Sequence, residues 1–441
     1  MKFIDLFSGI GGFRSGLEKN GHKAVAYSEV DKYAKQSYTS IYETSEELDL
    51  GDITKVSNEQ WQDLQGKANI IVGGSPCQSF SLAGKRRGFE DTRGTLFFHY
   101  VNAIKEVQPE FFIFENVKGM ISHDKGETIK TVLSSFNEIG YDIDFDVFNS
   151  KYYGVPQNRE RIYIVGKRKD LGINESRESV KGKKKLDQLK NWAIENINYV
   201  KLLPENKNEN VEKRLIDVLE DEVDEKYYLS EEKTKKLTLN LDLTESKKSD
   251  IAIKQVGNIV DNKETFGGNP QRGRVYNSEG LSPALNCMRG GGLEPKIAVR
   301  EATKKGYAIA EQGDSVNVTY PDSKTRRGRV GKQVAQTLQA GEVNQGVVID
   351  DTQGYDGVRT YKSISPTLRS SRSGLKTIDN LRIRKLTPLE CWRLQSFTDE
   401  QFYKAKDSGV SNSQLYKQAG NAVTVNVVDA ITKELFKHGL K

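Results

Sequence analysis

Short apolar runs alternate with segments of helical periodicity over the first part of the chain. The apolar runs predict strands at Lys2–Phe7, Lys23–Ser28, Asn69–Gly73, Phe111–Glu115, Tyr141–Phe148 and Arg161–Gly166. The segments between them predict helices at Phe13–Asn20, Asp31–Ile41, Thr95–Val107 and Glu127–Ile139. Strands that alternate with helices form mostly parallel sheets covered on both faces, so we predict a doubly wound α/β fold. Ligands of such folds bind at the carboxyl ends of the strands.

The pattern changes after residue 168. Residues 169–249 are highly charged and carry Lys- and Glu-rich helical stretches, which predicts a linker and a helical connection. Residues 250–414 begin with a Gly-, Arg- and Ser-rich region with short β-type runs, and we expect a second, smaller β-rich domain there. Within it, the segments at 273–286, 328–339 and 356–369 resemble one another at uneven spacing. Stacked strand–loop units and chance similarity between loops both account for this resemblance.

Composition narrows the class of protein. The chain has 441 residues, a net charge of +6, three widely spaced cysteines and four histidines. This spacing provides neither a disulfide framework nor a metal-ligand set, so we expect a metal-free protein. No apolar run approaches the ~20 residues that span a bilayer, and the N-terminus leads directly into a strand. We therefore expect a cytoplasmic protein without membrane association. The modest positive charge suits a polyanionic partner without demanding one.

A glycine-rich turn follows the first predicted strand, in "FIDLFSGIGGFRSGLE". Gly9 and Gly11 allow the backbone to pass close to a ligand before the helix begins. Glu29, at the end of the next strand, is placed to accept hydrogen bonds from ribose hydroxyls. Asp52 follows in "GDIT", where it is suited to recognise an adenine amino group. The turn thus predicts a nucleotide-like cofactor, and NAD and S-adenosylmethionine fit it equally well.

A cysteine follows the third predicted strand, in "GGSPCQSF". Cys77 lies among turn formers at the ligand edge of the sheet, and Glu115 ends the neighbouring strand at the same edge. Arg159 and Arg161, in "QNRERIYIVG", supply cations that lower the pKa of a thiol. A cysteine, an acid and two arginines at one sheet edge indicate covalent catalysis. Cys287 and Cys391 match no catalytic pattern, and we predict that they pack in the interior.

These segments make the chain similar to the C5-cytosine DNA methyltransferases of the bacterial and phage restriction–modification type. The matching stretches are "DLFSGIGGF", "GGSPCQSFSLAGKRRGFEDTRGTLFF", "FENVKGM", "QNRERIYIVG", "RKLTPLECWRLQSF" and "QAGNAV", in family order. The resemblance implies a Rossmann-like, S-adenosylmethionine-dependent catalytic domain formed by residues 1–168 and 415–441. It also implies a target-recognition domain with a hinge, residues 250–414, joined through residues 169–249.

The resemblance also implies roles for single residues. Cys77 resembles the nucleophile that attacks C6 of the target cytosine, and Glu115 the group that contacts N3 and the exocyclic amine. Arg159 and Arg161 resemble the pair that orients the base. S-adenosylmethionine is the implied methyl donor, in a pocket lined by Phe7, Gly9, Gly11, Glu29, Asp52, Ile53, Pro76, Leu96, Asn421 and Val423.

Chemistry at a paired base requires that the cytosine be flipped out of the duplex. The polar segment 79–94 has the hydroxyls, cations and glycines of a loop that closes over DNA. We expect DNA contacts from Ser81, Lys85, Arg86, Arg87 and Arg93, and, in the recognition region, from Arg272, Arg274, Arg329 and Arg369. The three similar segments fit either one duplicated recognition scaffold or several target modules.

The expected partner is double-stranded DNA, which a monomer would bind in the cytoplasm at the bacterial nucleoid. A cognate restriction endonuclease that acts separately is consistent with the resemblance. Three alternatives remain open: an RNA methyltransferase, a DNA-binding protein without turnover, and an NAD-dependent oxidoreductase that shares the fold. The long insert favours duplex DNA over RNA, and the set of Cys77, Glu115 and Arg161 argues against the last two.

Overall fold

The computed structural model describes residues 1–76, 96–172, 175–205, 211–230, 234, 255–258, 274–276, 296–303, 306–311, 313–321, 323, 325–338, 345–350 and 381–437. The chain divides into two compact units. The first consists mainly of Met1–Lys213 and Pro388–Lys441, and the second of Arg214–Leu338 and Val343–Thr387. In the part of the chain that the structure describes, no helix has the length and apolar character needed to cross a membrane.

The first unit is built on a twisted sheet of seven strands in the order β3-β2-β1-β4-β5-β8-β6. Strands β3, β2, β1, β4 and β5 run parallel, whereas β8 lies antiparallel between β5 and β6. The strands of this unit, including the short β7, are β1 (Lys2–Leu6), β2 (Lys23–Ser28), β3 (Leu48–Asp49), β4 (Ile70–Gly73), β5 (Phe111–Val117), β6 (Tyr141–Asn149), β7 (Gln157–Asn158) and β8 (Glu160–Arg168). The predicted doubly wound α/β fold is confirmed.

Helices cover both faces of this sheet because apolar side chains of successive strand residues point to opposite sides. Ile70 and Val72 belong to one core cluster, and Ile71 between them belongs to the other. The helices are α1 (Gly12–Glu18), α2 (Lys32–Ile41), α3 (Asn58–Gln62), α4 (Leu96–Val107), α5 (Glu127–Glu138), α6 (Lys185–Asn196), α7 (Pro388–Arg393), α8 (Asp399–Asp407), α9 (Asn412–Asn421) and α10 (Val425–Lys437).

The first unit includes residues outside 1–168 and 415–441, the ranges expected for the catalytic domain. After α6, the backbone returns to the edge strand β6: Ile143 N–H donates to the Asn198 carbonyl at 2.8 Å, and Val200 N–H donates to the Ile143 carbonyl at 2.9 Å. In the later segment, Trp392 of α7 is fully buried and its indole N–H donates to the Leu415 carbonyl at 3.0 Å. Burial of these apolar and paired groups places residues 175–203 and 388–414 with the sheet. Cys391 of α7 is buried, as predicted.

The second unit is β-rich in the residues that the structure describes. Its largest sheet has four antiparallel strands, in the order β14-β13-β16-β17, around Val316, Val348 and Ile383. Strands β9 and β10 form one antiparallel pair, and β11 and β12 form another. The strands are β9 (Gln255–Asn258), β10 (Arg274–Tyr276), β11 (Lys296–Arg300), β12 (Tyr307–Glu311), β13 (Ser315–Asn317), β14 (Val330–Gly331), β15 (Ala335–Gln336), β16 (Gln345–Asp350) and β17 (Leu381–Lys385).

Candidate active site

A cavity of about 650 Å³ opens at the carboxyl ends of β1, β2, β4 and β5, within the first unit. The carboxyl-terminal end of α9 completes its lining. Two parts of the lining differ in chemistry. We call the one formed by Phe7, Gly9, Glu29, Asp52 and Ile53 the glycine-turn wall. We call the one formed by Glu115, Arg159 and Arg161 the arginine wall.

The glycine-turn wall begins where the chain leaves β1. Phe7, Gly9 and Gly11 all adopt positive φ, of 54°, 56° and 81°. This conformation is easy for glycine and strained for phenylalanine. It turns the Gly9 N–H toward Glu29, which accepts it on Oε2 at 2.8 Å. A sharp turn of this kind leaves the backbone open to close approach by a ligand.

Two backbone N–H groups hold the Glu29 carboxylate in place. Its second carboxylate oxygen, Oε1, accepts the Asp31 N–H at 2.7 Å. Asp31 itself caps α2 by accepting the Tyr33 and Ala34 N–H groups at 2.9 and 3.0 Å. Each oxygen of Glu29 retains a lone pair for further donors. The carboxylate is therefore preorganised to accept hydroxyl groups.

The other predicted cofactor residues divide into two groups. Asp52 lies on the cavity and accepts the Thr54 N–H and hydroxyl at 3.0 and 2.8 Å, and these hydrogen bonds lower the pKa of Asp52. The side chains or backbone of Phe7, Gly9, Glu29, Asp52, Ile53, Pro76, Leu96 and Asn421 line the cavity.

Gly11 and Val423 are not part of the lining. A Cβ at Gly11 would lie 2.4 Å from the Tyr42 ring, so this glycine allows that ring to pack beneath the turn. Val423 packs on Gly12, where a Cβ would lie 2.7 Å from its Cγ2. Both residues therefore support the turn from behind.

The arginine wall brings together three residues that the sequence singles out. Glu115, near the end of β5, forms an ion pair with Arg161, with 3.1 Å between Oε1 and Nε, and both side chains are largely buried. Burial raises the pKa of Glu115, and the Arg161 and Arg159 charges oppose that rise without cancelling it. The carboxyl group thus holds its proton to a higher pH than an exposed glutamate.

Gly74 makes room for this carboxyl group. A Cβ at position 74 would lie 2.9 Å from both the Glu115 backbone oxygen and Oε2. Any side chain here would displace the acid. Sequence reasoning on the glycines next to Cys77 did not identify this contact, because it depends on the approach of β4 to β5.

Arg159 is 2% exposed and anchors the end of α9. Its Nη2 donates to the Gly420 carbonyl at 3.2 Å and to the Ala422 carbonyl at 2.7 Å. Its Nε and Nη1 are buried and have no hydrogen-bond partner among the described residues. Burial and the Arg161 charge lower the pKa of Arg159 to about 9, so the guanidinium stays protonated at neutral pH. Two buried donors at a cavity wall are available to a ligand.

A further buried group was not expected from the sequence. The Ser75 side chain is 4% exposed, and its hydroxyl has no hydrogen-bond partner among the described residues. Its carbonyl accepts the Asn116 Nδ2 at 2.9 Å, which fixes the chain just before Pro76. Ser75 and Asn116 both line the cavity. The only signal in the sequence was the position of Ser75 directly before Pro-Cys-Gln.

Several predicted site residues lie outside the described residues. These are Cys77, Ser81, Lys85, Arg86, Arg87, Arg93, Arg272 and Arg369. Arg274 lies on β10. Arg329 has a buried side chain whose guanidinium donates to the carbonyls of Asn317, Thr319 and Tyr320, at 2.7–3.0 Å. These contacts give Arg329 a structural place in its own loop, so we leave it out of the DNA contacts proposed below.

Comparisons with known proteins identify the family of the chain. The family model described as C-5 cytosine-specific DNA methylase matches residues 1–437. The orphan methyltransferase M.SPRI of Bacillus phage SPR is 42% identical over 99% of this chain and 97% of its own length. The type II methyltransferase M.BanI of Aneurinibacillus aneurinilyticus is 30% identical over 100% of this chain and 96% of its own length.

Two solved structures share the fold. The crystal structure of a Spodoptera frugiperda DNMT2 mutant aligns with a TM-score of 0.52 and 17% identity, over 99% of each chain. The crystal structure of S. pombe Dnmt2 methyltransferase aligns with a TM-score of 0.50 and 16% identity, again over 99% of each chain. At this level of identity the likeness concerns the fold.

Proposed function

The chain belongs to the C-5 cytosine-specific DNA methylases and is a DNA cytosine methyltransferase; from this premise, we propose how its residues carry out the reaction. The target cytosine is flipped out of double-stranded DNA and inserted at the arginine wall. Cys77 forms a transient covalent bond to C6 of the ring, and the methyl group is transferred to C5. The observation that carries this proposal is the buried Glu115 carboxyl group, paired with Arg161 at 3.1 Å on the cavity that also contains Glu29.

Glu115 activates the ring. Its raised pKa favours the protonated form, which donates a hydrogen bond to N3 of cytosine while its other oxygen accepts from the exocyclic amine. Addition of the Cys77 thiolate to C6 then places negative charge on the ring, and the proton from Glu115 neutralises that charge at N3. Carbon C5 becomes nucleophilic as a result. Arg161 pairs with the carboxyl group, and the Nε and Nη1 of Arg159, which have no partner among the described residues, are suited to stabilise the charge that develops.

The later steps restore the enzyme. After C5 has taken the methyl group, a base removes the C5 proton, and the electron pair of that C–H bond re-forms the C5–C6 double bond. The C6–S bond breaks and the Cys77 thiolate leaves. Glu115 regains its proton from N3. The products are 5-methylcytosine and the demethylated donor.

S-adenosylmethionine supplies an electrophilic methyl group on a sulfonium ion, and the residues present fit such a donor. The Glu29 carboxylate, fixed by the Gly9 and Asp31 N–H groups, is suited to the two ribose hydroxyls. Asp52 is suited to the adenine amino group, and Asn421 lies on the same cavity. The Ser75 hydroxyl, which has no partner in the part of the chain that the structure describes, is a further donor for a polar ligand in this cavity.

Recognition of the DNA sequence is assigned to the β-rich second unit, with the segment 79–94 closing over the substrate. The proposed DNA contacts are those of Ser81, Lys85, Arg86, Arg87, Arg93, Arg272, Arg274 and Arg369. We propose that a monomer acts on the duplex, apart from any endonuclease that recognises the same site. Two relatives named above are called an orphan and a type II methyltransferase, so the family occurs in both settings.

Bisulfite sequencing of DNA from cells that express the protein tests the reaction, the base and the sequence together. We expect 5-methylcytosine within a defined sequence, and none above background with Cys77→Ser. Transfer of tritium from labelled S-adenosylmethionine to RNA but not to duplex DNA would overturn the DNA assignment. Methylation by Cys77→Ser at the rate of the unaltered enzyme would overturn the covalent mechanism.

A further inference from the structure

A line of uncharged polar side chains crosses the interior behind the cavity. The hydroxyl oxygens of Ser150 and Thr424 lie 2.8 Å apart, and the Thr424 hydroxyl donates to Gln395 Oε1 at 2.9 Å. The Gln395 Nε2 then donates to Gln157 Oε1 at 3.2 Å. We call these four residues the Gln395 chain. All are 0–3% exposed, and hydrogen bonds at such depth fix the groups that they join.

Two members of the Gln395 chain, Gln157 and Thr424, lead to the two sides of the cavity. Gln157 stands two residues before Arg159, whose N–H donates to the Gln157 carbonyl at 3.0 Å. Thr424 stands two residues after Ala422 and three after Asn421, which lines the cavity. The Gln395 carbonyl also accepts the N–H of Val425, the first residue of α10, at 3.0 Å.

Arg159 closes these contacts into a ring. Its Nη2 donates to the carbonyls of Gly420 and Ala422, the two residues that flank Asn421. Any shift of the Asn421 segment therefore moves Arg159 by two routes, through its guanidinium and through Gln395 and Gln157. The remaining donors of Arg159, Nε and Nη1, face no partner among the described residues and depend on this ring for their direction.

We infer that Gln395 is a positioning residue that couples the cofactor side of the cavity, at Asn421, to the base side, at Arg159. This inference rests on the proposed function, because it assumes that both substrates occupy the cavity. A cofactor that fixes Asn421 also fixes Arg159 in the position that receives the base. Coupling between two ligands is reciprocal, so DNA must tighten cofactor binding by the same factor.

Isothermal titration calorimetry measures this coupling with S-adenosylhomocysteine as the probe, in the presence and absence of unmethylated plasmid DNA. We expect DNA to tighten binding at least about 5-fold in the unaltered enzyme, a typical coupling factor. Gln395→Met keeps the volume and removes both side-chain hydrogen bonds. We expect this variant to lose most of the coupling factor and about 10-fold in kcat, with a smaller change in the affinity for the probe alone.

The matched control is Gln36→Met. Gln36 also joins two segments of the first unit, because its Nε2 donates to the Ser408 carbonyl at 2.5 Å, but it does not touch the ring. We expect its coupling factor and kcat to match those of the unaltered enzyme. A loss of coupling in this variant equal to that of Gln395→Met would overturn the inference, because the effect would then follow from weakened packing.

A second pair of variants separates positioning from folding. Thr424→Val removes the hydroxyl that links Ser150 and Gln395, whereas Thr424→Ser keeps it. We expect Thr424→Ser to retain the coupling factor and Thr424→Val to lose it, with thermal midpoints that show both proteins folded. Full coupling in Gln395→Met and Thr424→Val, or no coupling in the unaltered enzyme, would refute the inference. An unaltered enzyme that neither binds the probe nor methylates DNA would instead refute the proposed function.

Discussion

The two walls of the cavity meet their hydrogen-bonding needs in opposite ways. In the glycine-turn wall, both oxygens of Glu29 already accept backbone N–H groups, at 2.7 and 2.8 Å. In the arginine wall, two nitrogens of the buried Arg159 have no partner among the described residues, and burial raises the pKa of Glu115. In the glycine-turn wall, the Glu29 carboxylate is already hydrogen-bonded before a ligand binds. The arginine wall holds buried charge and unpaired donors, which a protein retains where it stabilises a reacting group.

Among the variants that test this difference, we expect Glu115→Gln to have the largest effect. The amide keeps the shape of the side chain but supplies no proton, so we expect kcat to fall about 10²–10⁴-fold, the range for loss of an acid–base group. Affinity for S-adenosylhomocysteine should stay within about 3-fold, because the glycine-turn wall is intact. Tritium transfer to plasmid DNA and calorimetry measure the two quantities.

Glu110→Gln is the control for this variant. Glu110 directly precedes β5, the strand that carries Glu115, and its carboxylate accepts the Asn69 Nδ2 at 2.7 Å. We expect it to methylate normally. If Glu115→Gln retained more than about a tenth of the kcat, the arginine wall would not be the site of acid catalysis.

The pH dependence of the unaltered enzyme, compared with that of Glu115→Gln, tests whether the proton on Glu115 promotes the reaction. Because the proposed active form of Glu115 is the protonated carboxyl, kcat should fall as pH rises through the raised pKa of Glu115. The native state also binds this proton more tightly than the unfolded chain does. The free energy of unfolding should therefore decrease as pH rises from the pKa of Glu115 in the unfolded chain to its pKa in the native state. Glu115→Gln should lack both trends, as measured by pH profiles of kcat and of the thermal midpoint. A profile that rises with pH through that range would contradict the assignment.

The second-largest effect is expected at Gly74. In Gly74→Ala the new methyl group would lie 2.9 Å from Glu115 Oε2 and would displace the acid. A misplacement of about 1 Å costs roughly 100-fold, and we expect a loss in kcat of that order. Gly119→Ala is the matched control, because the nearest atom to its Cβ is 3.9 Å away, and it should be active. Equal kcat values for the two variants would show that Glu115 tolerates displacement.

On the glycine-turn wall, Glu29→Gln should weaken binding and leave chemistry largely intact. Loss of the charge on Glu29, the proposed ribose acceptor, should reduce affinity for S-adenosylhomocysteine about 10–100-fold, the range for hydrogen bonds to a charged group. The kcat at saturating donor should change little. Asp49→Asn, which alters the ion pair with Lys35 on the exposed side, is the control for calorimetry. A large loss of kcat without loss of affinity would remove the distinction between the walls.

The smallest effect is expected for Lys417→Met. Lys417 lines the cavity and pairs with Asp31 at 2.6 Å, but both side chains are partly exposed. Exposed ion pairs contribute about 0.2–1 kcal/mol, so affinity for S-adenosylhomocysteine should fall by at most about 5-fold. Lys404→Met, which breaks the pair with Glu400 on α8, should have no effect on binding. A larger loss at Lys417 would indicate direct contact with the ligand.

Hydrophobic patterning predicted β1, β2, β4, β5, β6 and β8 to within two residues at each end, because fully buried strands are continuous apolar runs. It did not predict β3 and β7, which have two residues each. It also placed Glu29 and Glu115 at one edge of the sheet. The antiparallel direction of β8 was not predictable, since an apolar run has the same pattern in either direction. It matters for the site, because it brings Arg161, at the start of β8, beside the end of β5.

Contacts between residues that are distant in the chain could not be predicted from the sequence. The roles of Gly74 and Gln395 arise from strand approach and from hydrogen bonds across 238 residues of chain, as between Gln395 and Gln157. The segment "RKLTPLECWRLQSF" was expected in the recognition domain, whereas α7 packs in the first unit through the buried Trp392. Its apolar residues predict burial but do not identify the surface against which they are buried.

The hydrogen bonds from Arg159 to Gly420 and Ala422 have a consequence for synthesis of the enzyme. They join residues 261 and 263 positions apart. At translation rates of about 5–20 residues per second, the arginine waits roughly 13–50 s for its acceptors to be made. A nascent polypeptide therefore carries Glu115 and both arginines well before it can hold Arg159 in place. Any product truncated before residue 420 lacks both carbonyl acceptors of this anchor.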